Sequence, residues 1–184
     1  TGTAGVPGRH SKRLLSAAGV CVDVDRDLLL VTLDTPNSSV NIFDLPAALA
    51  IQRIFSEVRP DRVAAVILRS AKPGSFVNGV GLMLASAIRA VPDAIRLTEP
   101  TRAAYRAIRD CPVPTIAAIC GNCYGCGVEL VLNCDYRIAA LDFETHFYMT
   151  ELVDYLFIPA FGGTQNLPRL VGPARAADLI LWGQ

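Results

Sequence analysis

Short, nearly continuous apolar segments limit this chain to few folds. Residues 27–34 and 62–69 read DLLLVTLD and RVAAVILR, and charged residues close each segment at both ends. Segments of this length that are rich in Leu, Val and Ile are typical of β-strands. A strand without polar alternation suits a sheet that is covered on both faces. Residues 112–120 share this character, and residues 135–139 predict a fourth strand.

Helical patterns alternate with these strands. Asp44 is suited to cap a helix, and Pro46 then lies in the first turn, where no N–H is needed. Apolar residues follow at helical spacing up to Val58. We also predict helices over residues 100–110 and 127–134. Strands that alternate with helices predict the α/β class.

Length and composition suit a single domain. The chain has 184 residues, and 52% of them are hydrophobic, which is enough for a sizeable core. Residues 1–20 are rich in Gly, Ser and basic residues, so we expect a flexible leader there and a core domain over residues 21–184. The chain stops just after an amphipathic stretch, so we expect a domain that is truncated at its C-terminus.

Charge and hydropathy exclude some classes of protein. Seventeen basic residues balance seventeen acidic ones, whereas a general nucleic-acid binder needs a basic face. The richest apolar run, at 113–132, is broken by Pro114, Asn122 and Glu129, so no membrane span is expected. Six cysteines without a secretion signal indicate a reduced, cytoplasmic protein.

The sharpest local signal is a glycine-rich turn between the third strand and a helix. Gly121, Gly125 and Gly127 lie in this turn, and Glu129 lies in the first turn of the helix. Free backbone N–H groups at a helix start favour negative charge, and a polarised carbonyl oxygen is a suitable guest. We expect the same dipole to keep Glu129 ionised. One carboxylate beside such a site suits acid–base chemistry on a carbonyl compound.

Several sequence blocks, in order, resemble the crotonase (enoyl-CoA hydratase/isomerase) superfamily. The details are most similar to the hydratase part of multifunctional fatty-acid oxidation enzymes, whose chains continue into a 3-hydroxyacyl-CoA dehydrogenase. The blocks are LDTP at 33–36 with Asn41 after it, AVILRS at 65–70, SFVNGVG at 75–81, PTIAA at 114–118, GCGVEL at 125–130, NCDYRIA at 133–139, IPAFGGTQ at 158–165 and LPRLVG at 167–172.

The resemblance implies a crotonase-type ββα spiral, in which stacked strands form a core with helices outside. Members of the family continue into C-terminal helices that cover the acyl pocket and build a trimer. We expect those trimerisation helices to be absent from this chain. The expected partners are an acyl-CoA substrate and either further copies in a trimer-type homo-oligomer or the rest of a larger chain.

The resemblance also implies two backbone donors for the thioester oxygen. The first is the N–H of Val80, which follows Gly79, and the second is the N–H of Cys126, which follows Gly125. Cys126 stands where glycine is usual. Gly81 stands where the family commonly has Asp.

Two carboxylates complete the implied site. Glu129 matches the residue that takes a proton from water, and Glu151 matches the residue that delivers a proton to the α-carbon. Asp154 is the alternative candidate for this second role. The segment 141–157 departs most from the family and carries an insertion.

The resemblance implies hydration of the 2,3 double bond of an acyl-CoA thioester in fatty-acid β-oxidation. The alternatives are an enoyl-CoA isomerase and a non-catalytic acyl-CoA-binding homologue. No metal and no cofactor are expected, since coenzyme A is part of the substrate. Cys120, Cys123 and Cys126 with Cys134 resemble an iron–sulfur spacing, but the fourth-ligand spacing and the following Pro are missing, which favours buried thiols. Other chemistries are disfavoured: a Cys–His nucleophile with His10 or His146, a hydrolase serine at Ser75 or Ser86, and nucleotide binding by residues 79–81.

Overall fold

The computed structural model describes residues 12–81, 87–141 and 145–183. The strands are β1 (Lys12–Ala17), β2 (Val20–Asp25), β3 (Leu28–Leu33), β4 (Ala65–Ser70), β5 (Ser75–Asn78), β6 (Thr115–Ile119), β7 (Asn122–Tyr124), β8 (Tyr136–Ala139) and β9 (Phe147–Tyr148). The helices are α1 (Leu45–Ser56), α2 (Val91–Arg109), α3 (Cys126–Val131), α4 (Thr150–Tyr155), α5 (Gly163–Val171) and α6 (Pro173–Trp182).

The strands form two sheets. The larger sheet has the order β1-β2-β3-β4-β6-β8, and the smaller one has the order β5-β7-β9. Strands β1 to β3 are antiparallel, whereas β3, β4, β6 and β8 run parallel, as do all three strands of the smaller sheet. This mixed arrangement with a parallel centre confirms the α/β class.

The apolar strands predicted from the sequence form the centre of the larger sheet. Strand β3 pairs with β4 residue for residue, from Leu28 with Ala65 to Leu33 with Ser70. Within β4, Val66 and Leu68 are fully buried, and Ile67 between them is partly covered. One face of the sheet therefore carries the core, and the other is partly covered.

Helix α1 confirms its predicted cap. The Asp44 carboxylate accepts a hydrogen bond from the N–H of Ala47 at 2.9 Å, and Pro46 lies in the first turn. The buried face of the helix includes Ile51 and Phe55, which join the main core. No helix among the described residues is long and apolar enough to cross a membrane.

The structure differs from the prediction at several boundaries. Helix α2 begins at Val91 rather than near Pro100, because Pro92 occupies its first turn and Pro100 lies inside the helix. Strand β5, at residues 75–78, was not predicted. Residues 12–17, placed in the leader, form β1, since Ala18 and Gly19 both adopt a positive φ and close a two-residue hairpin. His10 and Ser86 lie outside the described residues.

The buried amide of Asn41 joins the two sheets. Its Oδ1 atom accepts a hydrogen bond from the N–H of Thr35 at 2.9 Å. Its Nδ2 group lies 3.2 Å from the carbonyl oxygen of Leu33, 2.8 Å from the hydroxyl of Ser70 and 3.1 Å from the carbonyl oxygen of Phe76. These contacts tie the ends of β3 and β4 to β5, which leads directly into the loop that contains Gly79 and Val80.

We predict that Asn41→Ala destabilises the protein by about 3 kcal/mol, because it leaves several buried backbone and hydroxyl groups without a partner. The matched control is Asn122→Ala, since the Asn122 side chain makes no hydrogen bond to another described residue. Denaturant unfolding of both variants measures the difference. Equal losses in the two variants would show that the Asn41 network contributes nothing specific.

Candidate active site

One large cavity collects every site residue that the sequence predicts. Its volume is about 1450 Å³, and it lies between the smaller sheet, α2 and the segment 146–161. The predicted residues that line it are Gly79, Val80, Gly125, Cys126, Glu129, Glu151 and Asp154. Gly81, Arg102 and His146 also reach it. The tertiary structure therefore brings together segments that are up to 75 residues apart in the sequence.

The turn from β7 into α3 depends on two glycines. Gly125 precedes α3 with a positive φ of 52°, which favours a residue without a Cβ. Gly127 allows α3 to approach β5 closely, since a Cβ there would lie 2.6 Å from the carbonyl oxygen of Val77. Cys126 between them is not among the residues with a positive φ, so its Cβ causes no backbone strain.

The two expected oxyanion donors, Val80 and Cys126, flank the cavity. Gly79 has a φ of +96°, and its carbonyl oxygen accepts a hydrogen bond from the N–H of Phe43 at 3.0 Å, which holds the loop that presents Val80. No described residue accepts a hydrogen bond from the N–H of Val80 or of Cys126. Both residues line the cavity, so each N–H is a candidate donor to a ligand there.

Glu129 is almost fully buried, with 1% of its surface exposed. Its Oε1 atom accepts hydrogen bonds from the N–H of Phe161 at 2.8 Å and the N–H of Gly163 at 2.7 Å. Its Oε2 atom is buried and has no hydrogen-bond partner among the described residues. One oxygen of the carboxylate is thus fixed by backbone, and the other is free for a ligand or water in the cavity.

Glu151 is the second carboxylate with free oxygens. It lies in α4, and both of its carboxylate oxygens are buried without a hydrogen-bond partner among the described residues. Its carboxylate lies next to the glycine-rich turn, since a Cβ at Gly125 would be 3.4 Å from Glu151 Oε1. Asp154 lines the same cavity from an exposed position in α4. Glu151 therefore suits the second site better than Asp154.

Burial raises the pKa of Glu129 to about 8. The nearby charge of Glu151 adds to this rise, and the hydrogen bonds from Gly163 and Phe161 oppose it. Burial therefore acts against the helix dipole that we expected to keep Glu129 ionised, because desolvation disfavours the charged form. Burial also raises the pKa of Glu151. Both carboxylates therefore favour the protonated form more than an exposed glutamate does.

The cysteines belong mainly to the packing. The cysteines in the described part of the chain form no disulfide, and Cys123, Cys126 and Cys134 are buried. Burial raises the pKa of Cys134 to about 12 and that of Cys126 well above its usual value. Within residues 12–81, 87–141 and 145–183, no group of three or more His, Cys, Asp or Glu side chains is placed to hold a metal ion.

Sequence reasoning missed two residues that support the site. Tyr105 is buried, and its hydroxyl donates to the carbonyl oxygen of Cys126 at 2.7 Å. Arg102 Nε donates to the carbonyl oxygen of Ala160 at 3.1 Å. Both belong to α2 and act on segments far along the chain, so no local pattern indicated them.

Comparisons with known proteins agree with this geometry. Residues 24–184 match the family described as Enoyl-CoA hydratase/isomerase. A protein of Vibrio cholerae named "Fatty acid oxidation complex subunit alpha" is 35% identical over 156 residues, which cover 84% of this chain and 22% of that protein. The protein of the same name from Aliivibrio fischeri is 32% identical over 162 residues, covering 87% and 23%. The chain thus spans about a quarter of the length of these curated relatives.

Solved structures share the fold. An enoyl-CoA hydratase from Bacillus anthracis has a TM-score of 0.80 and 31% identity, with 90% of this chain and 63% of that chain covered. A protein from Thermobifida fusca, solved in complex with acetoacetyl-CoA, has a TM-score of 0.77 and 25% identity, covering 91% and 67%. These neighbours confirm the crotonase fold expected from the sequence. The chain belongs to the enoyl-CoA hydratase/isomerase family, the crotonase superfamily, and is similar to the hydratase part of the multifunctional fatty-acid oxidation enzymes.

Proposed function

We propose that this chain adds water across the 2,3 double bond of an acyl-CoA thioester, as an enoyl-CoA hydratase does in fatty-acid oxidation. The observation that carries this proposal is the pair of carboxylates in one cavity. Glu129 and Glu151 both present buried oxygens that have no hydrogen-bond partner in the described part of the chain, and burial raises the pKa of each. Hydration needs one carboxylate that accepts a proton and another that delivers one.

The thioester oxygen would lie between the N–H groups of Val80 and Cys126. Negative charge develops on this oxygen as the hydroxyl of water bonds to the β-carbon and the electrons of the double bond shift towards the carbonyl. Preorganised N–H donors stabilise such charge, and one donor is worth roughly 3 kcal/mol in other enzymes. Both N–H groups lack an acceptor among the described residues, which supports this role.

The carboxylate pair would hold the water and move its protons. The ionised carboxylate takes one proton from the water while the oxygen of that water bonds to the β-carbon. The protonated carboxylate delivers a proton to the α-carbon. The resemblance to the family implies the first role for Glu129 and the second for Glu151. Because the two groups are coupled, the proton that remains near neutral pH belongs to the pair, and the pair can work in both reaction directions.

The cavity walls suit an acyl chain. Apolar side chains form much of the wall, and they include Ile42, Val91, Ile95, Phe147 and Phe157. The Thermobifida fusca neighbour was solved with acetoacetyl-CoA, which supports an acyl-CoA ligand for this chain. The proposed reaction needs no cofactor beyond the coenzyme A of the substrate. Membership of a larger multifunctional chain or a trimer, and a cytoplasmic location, stay predictions.

Removing either carboxyl proton site should slow hydration strongly. We predict that Glu129→Gln and Glu151→Gln each lower kcat for a short trans-2-enoyl-CoA by about 10²–10⁴, because one acid–base group of the pair is lost. Acyl-CoA binding should survive in both variants, since the donors at Val80 and Cys126 remain. A hydration assay measures kcat, and isothermal titration calorimetry measures the affinity for acyl-CoA.

Asp154→Asn is the matched control, because Asp154 lines the same cavity from an exposed position. It should retain most of the activity. A chain that binds enoyl-CoA without hydrating it would favour the non-catalytic alternative. A variant that lacks one carboxylate but still moves the double bond would favour an isomerase, which needs one acid–base group only.

The buried carboxyl of Glu129 should also make stability depend on pH. The pKa of Glu129 is about 8 in the folded protein and 4.5 as its ordinary value. Between these values the folded chain binds a proton that the unfolded chain has released, so the free energy of unfolding falls as pH rises. Glu129→Gln removes this cost and keeps an oxygen for the N–H groups of Phe161 and Gly163. We expect Glu129→Gln to be more stable than wild type by a few kcal/mol at pH 8.5, since each pKa unit is worth about 1.4 kcal/mol.

At pH 4.5 the same variant should lie close to wild type, because the carboxyl is then protonated in the folded chain and already half protonated in the unfolded one. Denaturant unfolding between pH 4.5 and 8.5 measures the trend. Glu57→Gln, which removes an exposed carboxylate, serves as the control. A stability difference between Glu129→Gln and wild type that does not grow with pH would mean that Glu129 is ionised when folded.

A further inference from the structure

The peptide between Ala160 and Phe161 is held from both sides. Its carbonyl oxygen accepts a hydrogen bond from Arg102 Nε at 3.1 Å. Its N–H, which belongs to Phe161, donates to Glu129 Oε1 at 2.8 Å. The peptide is trans, so the C=O and the N–H point in opposite directions within one plane. A donor that fixes the oxygen therefore also fixes the direction of the N–H.

We propose that Arg102 is a positioning residue for Glu129 and acts through the Ala160–Phe161 peptide. Its Nε–H holds the carbonyl oxygen and thereby aims the N–H of Phe161 at the carboxylate. The two hydrogen bonds, from the guanidinium to the peptide and from the peptide to the carboxylate, also polarise the amide between them, because successive hydrogen bonds strengthen one another. This inference rests on the proposed function only for its effect on turnover.

The surroundings of Glu129 leave this peptide a distinct role. The titratable groups that face Glu129 are Glu151 from α4, Tyr105 from α2 and Cys126 on its own helix. Each of them is neutral or negative, so none stabilises the ionised carboxylate. Within the described chain, that stabilisation comes from backbone N–H groups in the segment 160–163, and Arg102 is the charged residue hydrogen-bonded to this segment.

The side chain of Arg102 permits a clean test. Glutamine carries its Nε2 atom at the same number of bonds from Cα as the Nε of arginine. Arg102→Gln can therefore donate to Ala160 without a charge, whereas Arg102→Ala removes both the donor and the charge. Arg106, one turn later in α2, pairs with Glu99 and makes no hydrogen bond to the segment 160–163. Arg106→Ala is thus the matched control.

The experiment is a ¹³C NMR titration of the glutamate side-chain carboxyls in the 184-residue chain, with the Glu129 signal assigned by its loss in Glu129→Gln. We expect Arg102→Ala to raise the midpoint of Glu129, because its ionised form loses an aligned donor. The acid dissociation constant should fall about 3- to 10-fold, the size of one ordinary hydrogen bond. Arg102→Gln should lie within about two-fold of wild type, and Arg106→Ala should not differ from it.

Two results would overturn the proposal. In the first, Arg102→Ala titrates like Arg106→Ala, so the contact with Ala160 has no influence on Glu129. In the second, Arg102→Gln shifts the midpoint as far as Arg102→Ala, so the charge acts through space and not through the peptide. Cooperative unfolding of each variant confirms that it is folded before titration.

The titration needs no turnover, so it separates this proposal from the proposed function. If the chain hydrates no enoyl-CoA and the Glu129 midpoint still moves as expected, the positioning role stands and the hydratase proposal fails. If the chain is active, kcat at neutral pH should fall several-fold in Arg102→Ala and recover in Arg102→Gln. An active chain with an unmoved midpoint rejects the positioning role alone.

Discussion

The burial of the Glu129 carboxylate is the constraint on which the rest of the site depends. The Glu129 side chain is 1% exposed, and burying a carboxylate costs free energy unless hydrogen bonds replace those that it makes with water. The N–H groups of Phe161 and Gly163 supply them to one oxygen only. The segment before α5 must therefore lie against α3, and this contact closes one wall of the cavity. The other oxygen has no hydrogen-bond partner among the described residues. Burial raises the pKa of the Glu129 carboxyl to about 8.

Close backbone approaches make this burial possible. A Cβ at Gly163 would lie 2.9 Å from Glu129 Oε1, and a Cβ at Gly127 would lie 2.6 Å from the carbonyl oxygen of Val77. Glycine at these positions lets α3 pack between β5 and the start of α5. Asn41 performs the corresponding task on the other side, since its amide holds the ends of β3 and β4 to β5. These two sets of contacts place the two candidate oxyanion donors, because β5 leads to Val80 and α3 begins at Cys126.

Much of this arrangement could be predicted from the sequence. The apolar segments indicated β3, β4 and β6 because Leu, Val and Ile favour buried strands, and Asp44 caps α1 as expected. The resemblance to the crotonase superfamily indicated six site residues and Asp154 as an alternative, and the structure gathers all seven in one cavity. The boundaries were less predictable. Pro100 suggested a helix start, yet tertiary packing accommodates it inside α2, and the hairpin at Ala18 and Gly19 has no common turn signal.

The sequence by itself determined which apolar segments form strands, where the glycine-rich turn lies and that Glu129 lies at a helix start. Each of these features depends on residues that are neighbours in the chain. Only the tertiary structure decided how strongly the surroundings of Glu129 oppose its ionised form. The local helix dipole favours ionisation, but α2, α4 and the segment 160–163 remove water from the carboxylate, and desolvation is the stronger effect. The roles inferred for Arg102 and Tyr105 were equally hidden from the sequence, since each acts on backbone at least 21 residues away along the chain.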